Sequence, residues 1–171
     1  MSSFSIDGSD EEWNVFSRTV KGRKPVLFRS RTSNPELRAF AAANVMTRLR
    51  CALPPEQQTE IGMPVSTGEL DAFEDKLLGG LTDRGAQTYL LAVVTGEGSR
   101  DFFFAGVDGA EIRDVVKAIP ENPSFQLQFA DVGAKEPFLD QLTVPAEALE
   151  RAKAESRKGG GFFSRLLGGE G

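Results

Sequence analysis

The chain of 171 residues carries 20 Lys plus Arg, 25 Asp plus Glu, no His and one Cys, for a net charge of −5. That length suits one domain of about 100–150 residues with tails. The lack of His excludes His-based acid–base catalysis, His-activated nucleophiles and His metal sites, and a single Cys excludes an internal disulfide and multi-Cys zinc.

The opening MSSFSIDGSDEEW is acidic where a signal peptide is basic and then apolar, and no apolar run approaches the ~18–20 residues of a membrane span. The expectation is a reducing cytoplasm. Residues 1–11, polar and Ser-rich, read as a disordered acidic arm. WNVFSRTV from Trp13 and VLFRSR from Val26 read as two strands of a β-hairpin. KGRK turns between them, with Gly22 free to take positive φ.

Residues 37–53 fit two patterns. Ala39, Ala41, Ala42 and Ala43 favour a helix, whereas the alternation of Val45, Thr47, Leu49 and Cys51 with Met46, Arg48 and Arg50 suits a strand over 44–52. Pro54–Pro55 stops it. Ser66-Thr67-Gly68-Glu69 has the form of a capping box for a helix ending near Gly79–Gly80. Leu70, Phe73, Leu77 and Leu81 form its apolar stripe.

YLLAVVT from Tyr89 is a continuous apolar run, the pattern of a strand buried on both faces. GEGS then turns into RDFFFAGV. Asp108 to Glu111 resembles a second helix start, with Ile112, Val115, Val116 and Ile119 as the apolar face and Pro120 as the stop. FQLQF alternates as a half-exposed strand. Residues 135–143 read as no more than a helical turn. Pro145 opens a last helix, basic toward its end as the macrodipole favours.

Without the first hairpin and the last helix, the order is β-α-β-β-α-β. The fold class is therefore α+β, with a ferredoxin-like core preceded by a β-hairpin and followed by a C-terminal helix. Helices are expected on one sheet face, leaving the other to a second copy of the chain, the hairpin or a partner. The division is an arm over 1–11, a domain over 12–143, a helix over 144–158 and a Gly-rich tail over 159–171.

Charge is uneven along the chain. Arg18, Lys21, Arg23, Lys24, Arg29, Arg31, Arg38, Arg48 and Arg50 form a basic block, and acidic residues dominate from 51 to 150. The block is either a phosphate-binding surface or a set of strands lying beside acidic elements of the same domain. The overall acidity argues against nucleic acid as a partner.

Cys51 has no His to activate it and reads as an inert core thiol. Asp71, Glu74 and Asp75 share a helix face, which suits a hard cation, split acid and base roles, or plain solvation. The glycine clusters lack the Lys-Ser/Thr pair of a phosphate loop and the strand–helix setting of a dinucleotide fold. No cofactor is implied. In the tail, Phe162, Phe163, Leu166 and Leu167 would share one helix face. They are candidates for docking on their own domain, for partner binding, or for weak membrane contact.

Trp13, then Leu70, Glu74, Asp75 and Leu77, then Thr95, Gly98, Arg100, Phe102 and Phe104, and finally Asp108 make up a familiar series. Over roughly residues 11–142 the chain resembles the bacterial domain of unknown function 695 family. Two positions depart from that pattern: Ala105 replaces the family's tyrosine, and its late aromatic element is weak around 134–138. The resemblance implies a small cytoplasmic α+β domain of ferredoxin-like type with no established activity. In layout the chain is also similar to B-type regulators of ribonuclease E activity, a fold-level analogy.

Two functions remain open. One is a non-enzymatic protein-interaction or regulatory domain, with a protein partner or a second copy engaged by the sheet face or the tail. The other is a ligand-binding or enzymatic domain using carboxylate and Arg chemistry, which requires a pocket lined by groups such as Arg48, Arg50, Arg100 and Glu74.

Overall fold

The structure, a computed structural model, describes residues 4–9, 13–19, 22–120, 123–133 and 135–157. Six strands form one antiparallel sheet: β1 (Asn14–Arg18), β2 (Val26–Ser30), β3 (Val45–Ala52), β4 (Thr88–Gly96), β5 (Ser99–Gly106) and β6 (Gln126–Asp131). Their spatial order is β1-β2-β4-β5-β3-β6. Five helices accompany them: α1 (Pro35–Ala43), α2 (Gly68–Asp83), α3 (Ala110–Ala118), α4 (Lys135–Leu142) and α5 (Ala146–Arg157). None of the helices among the described residues is long and apolar enough to cross a membrane.

The ambiguous segment holds both patterns in succession. Pro35 opens α1, and the Asn34 side chain caps it by accepting from the N–H groups of Glu36 and Leu37 at 3.0 and 3.1 Å. The alanines form that helix and the alternating residues form β3. The 135–143 segment is a full helix, α4, rather than a turn.

Helices cover both faces of the sheet, which corrects the expectation of a single covered face. Side chains alternate along each strand. Phe102 and Phe104 join Leu49, Cys51, Leu90 and Val93 beneath α2 and α3. Phe103 and Ala105 join Met46, Leu91 and Ala92 beneath Leu37 of α1 and Leu139 and Leu142 of α4. Every residue of β5 is therefore buried. The face expected to need a second copy or partner is closed in large part by the chain itself.

Residues 4–9, within the segment read as a disordered arm, pack on the domain. Phe4 contacts Phe40 and Tyr89 edge-on, and Ile6 packs against the α2 side of the core. Arg31, 1% exposed, organises this region. Its Nε donates to the Leu90 carbonyl at 2.6 Å, and an Nη reaches the Ser5 carbonyl at 2.9 Å. A bulge in β4 at Leu91 leaves the Leu90 N–H to the Ile6 carbonyl at 3.0 Å and the Leu91 carbonyl to the Arg31 N–H at 3.1 Å.

Helix α2 departs from the sequence reading at both ends. Glu69 does not close a capping box; it accepts instead from the Ser124 N–H at 2.7 Å, 55 residues away. Thr67 occupies the cap, but its side chain makes no bond to the N–H groups of the helix's first turn. The helix also runs past Gly79–Gly80 to Asp83. Its stop is Gly85, at φ +60, whose N–H reaches the Thr82 carbonyl while the Ala86 N–H reaches that of Leu81.

Gly80 serves helix packing, since a Cβ there would lie 2.6 Å from Val115 Cγ1 of α3. Gly79 faces open space in a groove of about 440 Å³ between the two helices. The two glycines should respond oppositely to the same change. Gly79→Ala is expected to stabilise the fold by up to about 1 kcal/mol through helix propensity. Gly80→Ala is expected to destabilise it by about 1–3 kcal/mol, because overpacking outweighs that gain. Urea unfolding of both variants checks the sign.

Candidate functional site

A polar pocket opens where β2, β4 and β5 pass beneath the first half of α2. Leu27 and Arg29 of β2, Val93 and Thr95 of β4, Arg100 of β5, and Asp71 and Glu74 of α2 line a cavity of about 150 Å³. The register explains the convergence. Leu27 pairs with Thr95, Arg29 with Val93, and Thr95 with Arg100, all on the face beneath α2. Asp71 and Glu74, three apart on the helix, point at the same spot.

Each charge in the pocket has an opposite neighbour. Arg29 hydrogen-bonds Glu74. The Arg29 guanidinium also lies over the Trp13 ring, 5.1 Å from its centroid. Arg100 donates to Asp71 at 2.7 Å and to the Thr95 hydroxyl at 3.2 Å, and stands 3.9 Å from Glu74. Glu74 is 8% exposed, so its carboxylate sits between two guanidiniums with little water. Burial opposes ionisation of Asp71, but hydrogen bonds from Arg100 and Thr67, with the charges of Arg100 and Arg29, outweigh it. The carboxyl is held below its ordinary value of 3.8.

The structure divides the residues singled out in the sequence. Glu74 and Arg100 meet in the pocket with Asp71, whereas Asp75 is exposed and lines no part of it. Arg48 and Arg50 lie on the opposite sheet face. Arg50 holds Asp101 through Nε and Nη2 at 2.9 and 2.8 Å. Cys51 is buried in the core, and burial, aided by the Asp101 charge, pushes its thiol up to about 12. Among the described residues no group of three His, Cys, Asp or Glu side chains is placed to hold a metal ion.

Much of the basic block is engaged internally. Arg18 donates to the Gln141 and Thr143 carbonyls at the end of α4, and Arg38 pairs with Glu136 and Asp140. Sequence reasoning missed Val93 and Thr95 as pocket residues, and Arg29 and Leu27 of β2 with them. The signal for the β2 pair was present: they alternate with Val26 and Phe28, so both fall on one face of β2. Phe162, Phe163, Leu166 and Leu167 lie outside the described residues.

The depressed Asp71 value fixes the sign of a pH response. A carboxyl whose folded value is lowered adds stability above its unfolded value, and that stability is lost as pH falls through the folded one. Stability to urea should decline as pH drops from about 5 to about 3, and Asp71→Asn should make that decline shallower. A variant with the slope of the parent chain would remove the Arg100 pair as its cause.

Comparison with curated proteins gives no match, and comparison with solved structures gives none. None of these comparisons supports the likeness to ribonuclease E regulators. A family model does match, over residues 11–132, which is most of the chain and includes every residue lining the polar pocket. The chain belongs to the family of unknown function DUF695.

Proposed function

We propose that the chain is a non-enzymatic protein-interaction or regulatory domain, acting in the cytoplasm, whose polar pocket receives one side chain of a partner protein. The size of the pocket carries this reading. At about 150 Å³ it is smaller than the ~300–1,000 Å³ typical of small-molecule sites and suits the tip of a single side chain. Its charges are already balanced, so a partner's charged group would exchange with an existing ion pair. The half-exposed Arg29 is the member best placed to swap.

The paired state also weighs against acid–base chemistry. A general acid needs a carboxyl raised toward neutral pH, and Asp71 is shifted the other way. The apolar group Phe162, Phe163, Leu166 and Leu167 is proposed as a second contact on the same partner. The strand order β6-β3-β5-β4 supports reading residues 45–131 as a ferredoxin-like unit.

The convergence of Arg100, Asp71 and Glu74 in a concavity favours one alternative, a small-ligand-binding or enzymatic domain built on carboxylate and Arg chemistry. Pull-down from nuclease-treated, membrane-cleared lysate separates the two. The baits are the full chain, a Leu27→Trp variant that fills the pocket, and a chain ending at residue 158. A stoichiometric protein retained by the full chain should be lost from the Trp variant, with binding weakened about tenfold or more, equal to one buried contact of about 1.4 kcal/mol. Equal retention by all three baits would overturn the assignment of both contacts. No retention by any bait would shift the weight to the small-ligand reading.

A further inference from the structure

On the sheet face opposite the pocket, the basic block contains one strand arginine without a partner of any kind among the described residues. Arg18, Arg29, Arg31, Arg38 and Arg50 each hold a carboxylate, a carbonyl or a ring. Arg48 makes no hydrogen bond, ion pair or ring contact with the described residues, and its Nε is shut away from solvent with no acceptor. A donor in that position carries the desolvation cost of burial without the bond that offsets it. The residue as a whole is half-buried, so the guanidinium is closed at Nε and open toward its tip.

The neighbours of Arg48 do not supply the missing charge. It lies in the middle of β3, across from Phe103 of β5 and Ala130 of β6. Arg50 follows two positions later on the same face. Asp101 is the one acidic residue that the strand register brings beside this pair. Both of its carboxylate oxygens accept from Arg50. Glu97, in the turn between β4 and β5, also bears on Arg50 by its charge, and Arg48 is left as the cation of this face without a partner among the described residues. Gln128, opposite Arg50 on β6, is exposed and offers a neutral amide donor at the same edge.

We propose that Arg48, with Arg50 and Gln128, forms a binding site for a small oxyanion, a carboxylate or a phosphate, on the sheet face opposite the polar pocket. A guanidinium presents planar, forked N–H groups that match the paired oxygens of either anion. Arg50, fixed by Asp101, is pre-oriented and lines the site without reorganisation. This site is independent of the pocket and of the interaction reading: Arg48 and Arg50 share no residue with it.

Arginine Nε–Hε resonances of the ¹⁵N-labelled full chain test the proposal. Inorganic phosphate and acetate are titrated separately at constant ionic strength, with sodium chloride as the balancing salt. The Arg48 Nε–Hε cross-peak should move along a saturating curve, while those of Arg23 and Arg84 follow only the salt. Arg48→Lys keeps the charge but removes the fork, and should weaken binding about tenfold, the effect of one charged hydrogen bond. Response to one anion and not the other supports the site and names its ligand. An Arg48 peak that stays in place, or that moves in step with the other arginines, overturns the proposal. That readout comes from the unmodified chain, so it stands even if the Lys variant fails to fold.

Discussion

The architecture depends on one buried cation. Arg31 lies at the end of β2, almost wholly out of solvent, and a guanidinium there is tolerable only when its donors meet acceptors. The acceptors are backbone carbonyls from two distant places: Leu90, beside the β4 bulge, and residues 5 and 6 near the start of the chain. The bonds from Arg31 Nη2 to residues 5 and 6 therefore hold the start of the chain on the sheet. Arg31 also fixes the bulge that turns the pleat of β4. The Trp13 ring beneath its guanidinium completes the enclosure.

The polar pocket follows from that arrangement. Arg29 lies in β2 two positions before Arg31, which follows the strand's last residue, and the same Trp13 ring bears on both. With its stem aligned by β2 and one side bounded by Trp13, Arg29 meets Glu74 on α2. Glu74 in turn lies near Arg100, and Arg100 bonds Asp71 and Thr95. A surface ion pair adds little to stability on its own, but partly buried pairs sharing partners restrict one another's geometry. The result is a small cavity whose walls carry balanced charge.

Much of the fold was legible in the sequence because local rules governed it. The apolar stripe of α2, the hairpin at Glu97–Gly98 and the alternation of β3 all reflect neighbours close in the chain. The uninterrupted apolar run from Tyr89 to Thr95 even carried the information that both faces of the sheet are covered. A strand with helices on one side only has no use for it. What stayed hidden depended on distant partners. Glu69 satisfies Ser124 rather than its own helix start, and Gly80 meets Val115 across a helix interface instead of ending a helix. The pocket's residue types were visible, but the meeting of Arg29 with Glu74, 45 residues apart, is a product of register.

The position of β3 has a consequence for how the chain is made. This strand sits between β5 and β6, both of which follow it in sequence, and its Arg50 finds Asp101 51 residues later. On a ribosome adding about 5–20 residues per second, β3 would wait on the order of 3–10 s for its first neighbour and longer for its second. During that interval Met46, Leu49 and Cys51 have no sheet to join. Helix α1, adjacent in sequence, packs on the Met46 side of β3, while the Leu49 and Cys51 side stays bare until α2 emerges.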